Sequence, residues 1–232
     1  MSCYDDIYND FPLRCARLWR KFNDAAKAED LDVTFMLMCG AGGFATPWEH
    51  LKVLAGQGKD NKNHPAFFKY DEHRYTRSLR VMEKALSGCV ANSPLFQNVD
   101  LNHCFYTHAK SIELIRDSAE CRSSPDLDLG SQCSRQIATT LRNALAHNNI
   151  YAFSNNQSNV ISDLAFFSEM PVSRGSQIID HYKLLVMPVE DFRAFLTAWF
   201  NLLQVASPKG NYLKLIVSNA LEIDDERVVA HG

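Results

Sequence analysis

Apolar residues recur at helical spacing along most of the chain, starting close to the N-terminus. Charged and apolar positions alternate in this way over residues 3–30, and Pro12 predicts that the helix begins near it, since proline suits a first turn. The predicted core positions of this helix are Leu18, Trp19 and Phe22. The apolar residues 31–55 are interrupted by glycines and a proline, which predicts two short buried helices or one kinked helix.

Three more helices are predicted between residue 70 and His147. Residues 70–88 have helical spacing, and Gly88 is placed to stop that helix. A second helix is predicted over about 103–121. The third occupies 131–147, with Ser131 as its expected cap.

After His147 the chain becomes rich in β-branched and aromatic residues. "IYAF", "NVISDLAFFSE" and "HYKLLVMP" are separated by turn-forming segments, which predicts a small antiparallel sheet of two or three strands over about 150–187. Helical spacing then returns, with one apolar face formed by Val189, Phe192, Leu196, Trp199, Phe200 and Leu203. The predicted architecture is a mostly α-helical bundle, a single domain over 1–232, with a small β insertion before the last long helix and a C-terminal tail at 208–232.

Composition narrows the function classes. A net charge of −3 argues against non-specific coating of nucleic acid, so any contact with RNA is expected through a local patch. The 7 cysteines are odd in number, scattered and without a Cys-x-x-Cys pair, which favours reduced thiols over disulfides or a zinc ribbon. An acidic N-terminus without a signal sequence, and no apolar stretch long enough to span a bilayer, predict a cytoplasmic protein with no membrane contact.

The helix at 131–147 has a polar side that carries candidate chemistry. Its predicted core stripe is Cys133, Ile137, Leu141, Ala144 and Leu145. At about 100° per residue, Arg135 and Arg142 lie within roughly 20° of each other, and Asn143 and His147 are i,i+4 neighbours. These four residues are predicted to face away from the core, towards solvent or a partner.

Arginine and histidine together suit phosphodiester chemistry. Histidine titrates near neutral pH and can move a proton, whereas a guanidinium binds phosphate through two hydrogen bonds. Asn148 and Asn149 tolerate left-handed geometry, so either can end the helix and turn the chain. The plainer alternative is that His147 caps helix carbonyls and Arg142 is a solvated charge.

"LRNALAHNNIYAF" resembles the signature of the HEPN superfamily (higher eukaryotes and prokaryotes nucleotide-binding). Its ribonuclease members carry Arg, a polar residue and then His after four to six intervening positions. Three other stretches resemble a bacterial, often plasmid-borne branch: "FMLMCGAGGFATPWEHL", "LAFFSE" and "YKLLVMPVEDFRAFLTAWFNLL". Together the four span residues 35–203 in the expected order. Asn148 stands where the family commonly has glycine.

The resemblance implies an antiparallel helical bundle that forms a homodimer, with two motifs facing one cleft. It implies a metal-independent endoribonuclease without a cofactor, acting on RNA in phage defence or a toxin–antitoxin system with an antitoxin protein. His147 would be the acid–base residue for attack by the 2′-hydroxyl, Arg142 would bind the scissile phosphate, and Asn143 would orient that phosphate or His147. The products would carry a 2′,3′-cyclic phosphate and a 5′-hydroxyl. Two alternatives stay open: a non-catalytic module that binds a nucleotide or a protein, and a motif that mainly seals a dimer interface.

Other residues are weaker candidates. Arg135 and Asn148 are expected as outer phosphate contacts. Arg74, Arg77, Arg80 and Lys84 form a basic stripe that could follow an RNA backbone, although a solvated helix face is the better explanation because Glu72 and Glu83 dilute the charge.

Two further patterns favour structural explanations. Cys104 and His108 have i,i+4 spacing, but no second ligand pair accompanies them, so no metal site is predicted. The glycines of residues 40–43 lie within an apolar run and lack the Lys-Ser/Thr ending of a phosphate loop, which favours close helix packing.

Overall fold

A computed structural model describes residues 7–45, 81–112, 121–122, 126–154, 160–173 and 178–206. In these ranges the chain is mostly α-helical, with one small antiparallel sheet. The α-helices with both ends inside these ranges are α1 (Ile7–Ala28), α2 (Asp32–Gly40), α3 (Ser134–His147) and α4 (Val189–Ala206). A π-helical turn, Ala41–Ala45, continues α2, and 3-10 turns occupy Val90–Asn92 and Leu129–Ser131. The strands are β1 (Phe105–Ala109), β2 (Ile150–Ser154), β3 (Ile161–Pro171) and β4 (Ile179–Pro188). None of the helices in these ranges is long and apolar enough to cross a membrane.

The sheet has the order β1-β4-β3-β2, with antiparallel pairing throughout. Strands β2, β3 and β4 confirm the predicted β insertion. The helix predicted over 103–121 is wrong at residues 105–109, which form the edge strand β1. Phe105 and Tyr106 suit a strand, and pairing with β4 determines their conformation in a way that local spacing does not reveal.

Both faces of the sheet are covered by apolar side chains. One face joins the main core, where it meets the helices, through Tyr106, Leu164, Phe166, Leu185 and Met187. The opposite face forms a second cluster from Phe105, Phe153, Ala165, Phe167, Leu184 and Val186. This two-sided burial explains why "LAFF" and "LLVM" are continuous apolar runs instead of alternating patterns.

The long helices confirm the predicted apolar faces only in part. In α4, every predicted core residue is buried except Leu203, which is partly buried against the same core. In α1, Trp19 is buried, but Leu18 and Phe22 are 46% and 42% exposed, so those two assignments are wrong. The buried stripe of α1 follows Leu13, Ala16 and Trp19, and the helix begins at Ile7, five residues before Pro12.

Two predicted helix boundaries can be compared with the structure. Residues 81–86 are helical, and Gly88 has φ of +86°, which confirms it as the residue that stops this helix. Ser131 does not cap α3: Cys133 precedes the helix, and the Ser131 hydroxyl donates to the carbonyl of Asp128. The earlier part of the helix predicted at 70–88 and the C-terminal tail lie outside the described residues.

The glycines after α2 allow close packing, as predicted. Trp199 Nε1 donates a hydrogen bond to the Gly43 carbonyl at 2.8 Å. A methyl group on Gly43 would collide with the ring of Phe200 and with Cys15 Cβ. At Gly40 the same methyl would make ordinary contact, 3.4 Å from Leu145.

Gly43→Ala should therefore lower the free energy of unfolding by about 2 kcal/mol, because the added methyl overpacks a close-packed core. Gly40→Ala is the matched control and should be neutral or slightly stabilising, since alanine favours a helix. Chemical denaturation of both variants beside the wild type measures this difference. Equal stability of the two variants would show that Gly43 is not needed for packing.

Candidate functional site

Helix α3 ends where the sequence pattern places its end. Asn148 has φ of 56° and ψ of 34°, the left-handed conformation, and its backbone N–H donates to the carbonyl of Ala144. This confirms that asparagine serves at the position where glycine is common. The chain enters β2 at Ile150, so His147 lies where the helix meets the sheet.

The core side of α3 is as predicted, apart from its first residue. Ile137, Leu141 and Ala144 are fully buried and Leu145 is 6% exposed, whereas Cys133 is exposed and precedes the helix. The opposite side is less open than predicted. His147 is exposed, but Arg135, Arg142 and Asn143 are half-buried, because α3 packs beside β3.

A short chain of hydrogen bonds ties the motif to the sheet. Arg142 Nη1 donates to Asn143 Oδ1, and Asn143 Nδ2 donates to Ser168 Oγ at 2.7 Å. Ser168 lies on β3 and is 2% exposed, so it gives the amide a rigid anchor. Burial lowers the pKa of Arg142, but a guanidinium remains charged in proteins. The guanidinium is thus tied to the sheet through one amide.

These side chains line an open cavity of about 350 Å³ at the end of α3. Its lining residues are Arg142, Asn143, His147, Asn149, Ser168 and Glu169. The structure therefore brings together the three residues predicted as catalytic. A phosphate in this cavity would have a guanidinium to bind it and an imidazole to exchange protons.

A second groove of about 480 Å³ adjoins this cavity between α3 and the sheet. Asn143 and Ser168 line both spaces and form the wall between them. Arg135 lies in this second groove, together with Lys183 of β4. Arg135 and Arg142 are thus on the same side of α3, as predicted, but line different spaces.

The sequence pattern did not identify the residues that the sheet supplies. Ser168, Glu169 and Lys183 come close to α3 only through strand pairing, in which Ser168 stands opposite Lys183. A signal was present: Ser168 and Glu169 are the polar end of the apolar run "LAFFSE". Of the weaker candidates, Asn148 is exposed beside the cavity, and Arg74, Arg77 and Arg80 lie outside the described residues.

Cys104 and His108, the pair with metal-ligand spacing, lie in environments that do not form a metal site. Cys104 is buried, which raises the pKa of its thiol to about 12, and the ring of His108 lies 4.8 Å from that of His181. In the described ranges, no group of three His, Cys, Asp or Glu side chains is arranged to hold a metal ion.

Comparison with known proteins identifies a family. A family model described as HEPN pEK499 p136 matches residues 1–209. Comparisons with curated proteins and with solved structures give no match. The family match covers most of the chain, including α3, all of the sheet and α4. The chain therefore belongs to the HEPN pEK499 p136 family, a member of the HEPN group.

Proposed function

We propose that this protein is a metal-independent endoribonuclease that cleaves RNA at the end of α3. Membership in a HEPN family points to a nuclease or a nucleotide-binding module. The observation that favours the nuclease is the shared cavity: a half-buried, sheet-anchored guanidinium lies beside an exposed histidine. A module that only binds a nucleotide has no need of a solvent-accessible group that exchanges protons.

In the proposed reaction, the 2′-oxygen of a ribose attacks the adjacent phosphorus, and the bond from phosphorus to the 5′-oxygen of the next nucleotide breaks. An imidazole accepts the 2′-hydroxyl proton, and an imidazolium supplies a proton to the departing 5′-oxygen. His147 from each protomer of a homodimer would provide the two imidazoles across one cleft. The products carry a 2′,3′-cyclic phosphate and a 5′-hydroxyl.

Arg142 is the proposed phosphate ligand, and Asn143, the next residue, holds its guanidinium through a hydrogen bond. The amide of Asn143 accepts from the guanidinium and donates to Ser168, so both ends of the amide are used within the protomer. Asn143 therefore acts as a positioning residue for Arg142. A guanidinium already in place stabilises the developing phosphate charge without reorganisation.

The wider setting of this proposal rests on the family alone. We propose a homodimer of antiparallel bundles, acting in phage defence or a toxin–antitoxin system and controlled by an antitoxin protein.

Incubation of a labelled RNA pool with the purified protein in EDTA tests the activity directly. We expect fragments that accumulate with time and do not depend on added metal. Intact RNA after incubation with a folded dimer, together with a nucleotide retained through purification, would instead identify a binding module.

Ser168→Ala should reduce the rate of RNA cleavage by about fivefold, because one hydrogen bond of about 1 kcal/mol holds the amide that positions Arg142. Ser162→Ala is a matched control on the same strand, since the Ser162 hydroxyl is exposed and donates to Asp163. Initial cleavage rates of both variants at equal folded concentration measure the effect. Equal cleavage rates for Ser168→Ala and Ser162→Ala would show that Ser168 does not contribute to the site.

A further inference from the structure

Two cations line the groove beside the cavity, one from the helix and one from the sheet. Lys183 stands directly opposite Ser168 on β3 and opposite His108 on β1, so the three side chains share one face of the sheet. Arg135 faces them from the first turn of α3. The sheet thus extends the positive surface of the motif beyond Arg142.

The charge of Lys183 is not balanced within the described part of the chain. Its ammonium makes no ion pair or side-chain hydrogen bond there, and Asp180, three residues earlier on the same strand, is bonded to His181. Burial lowers the pKa of Lys183, and the pKa of His108 is lowered by burial and then by the charges of His181 and Lys183. A half-buried cation without a counter-ion is costly, and an anion in the groove would offset that cost.

The shape of the groove suits more than an inorganic ion. Its volume of about 480 Å³ is within the usual range for small-molecule sites. Met170, Thr139 and Thr140 also line the groove, so part of its wall is apolar. A flat nucleobase can lie on such a wall while its phosphate reaches a cation.

We propose that this groove holds the nucleotide next to the scissile phosphate of a single RNA strand, with Lys183 and Arg135 binding its phosphate. The inference rests on the proposed ribonuclease function and adds a residue from the β insertion to substrate binding. The shared wall of Asn143 and Ser168 makes the two spaces adjacent. Arg135 and Arg142 are seven residues apart, roughly 10 Å along the helix, which separates two phosphate positions on one strand.

Binding measurements on the full-length His147→Ala protein test this subsite without interference from cleavage. The probe is a fluorescent pool of short single-stranded RNA, titrated at several salt concentrations. Lys183→Gln should weaken RNA binding about tenfold and reduce the slope of log affinity against log salt by about 0.7, the value for one lost phosphate contact on a single strand. Arg135→Gln should act in the same direction, and Lys183→Arg should retain most of the affinity.

Lys21→Gln is the matched control, because Lys21 is exposed on α1 and lies over the ring of Phe22. Equal affinities and salt slopes for Lys183→Gln and Lys21→Gln would overturn the proposal, as would the absence of RNA binding by the parent protein. The proposal would also be overturned if Lys183→Gln bound adenosine monophosphate more weakly but kept its RNA affinity. The groove would then be a pocket for a free nucleotide. If Lys183→Gln does not fold, Arg135→Gln tests the same groove.

Cleavage by the wild-type protein separates this proposal from the one on which it rests. If the wild type cleaves RNA but Lys183→Gln binds RNA as tightly as the parent, the ribonuclease proposal stands and the subsite proposal fails. If Lys183→Gln weakens RNA binding but the wild type does not cleave RNA, the groove is an RNA contact and the ribonuclease proposal fails.

Discussion

We expect His147→Ala to lower the rate of RNA cleavage about a thousandfold, because the variant loses the group that transfers protons to and from the reacting oxygens. Such a loss corresponds to about 4 kcal/mol of transition-state stabilisation. His147 is exposed at the end of α3 and has no part in the core, so neither the stability nor the proposed dimer should change. Single-turnover cleavage of a labelled RNA pool measures the rate, and sedimentation measures the dimer.

His103→Ala is the matched control, since His103 is also an exposed histidine and its ring pairs with Asp100 on the surface. It should cleave RNA at the wild-type rate. Two results would contradict the assignment of His147. Equal cleavage by His147→Ala and wild type would locate the activity elsewhere, and a shift of His147→Ala to monomer would indicate that the motif seals an interface.

Arg142→Lys should reduce cleavage about a hundredfold although it keeps the positive charge, and Arg142→Ala should reduce it about a thousandfold. Lysine lacks the planar fork that binds phosphate through two parallel hydrogen bonds, and it cannot keep both the phosphate and the contact with Asn143. The loss should appear mainly in kcat, because the contact strengthens as charge develops on the phosphate. Steady-state kinetics on a defined RNA substrate separates kcat from KM.

Arg20→Lys controls for a general effect of replacing an arginine, since Arg20 is on α1 and its side chain is exposed. It should leave both kinetic constants unchanged. Full activity of Arg142→Lys would show that the site needs a charge but not the guanidinium geometry. A change confined to KM would make Arg142 a general RNA contact.

The parts of the fold that follow from local pattern were predicted, and the parts that depend on distant pairing were not. The apolar face of α4 and the left-handed end of α3 at Asn148 can be read from neighbouring residues. Strand β1 was predicted as helix because its environment is created by β4, about 75 residues later in the chain. The burial of α1 likewise depends on which residues α2 and α4 present to it, so Trp19 could be predicted but the exposure of Phe22 could not.

The candidate site shows the same division. Asn143 and His147 are neighbours because they lie four residues apart on α3, which sequence spacing reveals, and Arg142 lines the same cavity. Ser168 reaches Asn143 only because β3 packs beside α3. The register that places Lys183 opposite Ser168 is a property of the folded sheet, since a slip of one residue would turn Lys183 to the other face.

If the polar end of α3 cleaves RNA by attack of a 2′-hydroxyl, the ends of the fragments must carry the products of that reaction. The most direct measurement maps the ends of fragments made from a labelled RNA pool by the wild-type protein and by His147→Ala, both in EDTA. This mechanism predicts 2′,3′-cyclic phosphates and 5′-hydroxyls from the wild type and intact RNA from the variant. Fragments with 5′-phosphates, or identical fragments from both proteins, would contradict it.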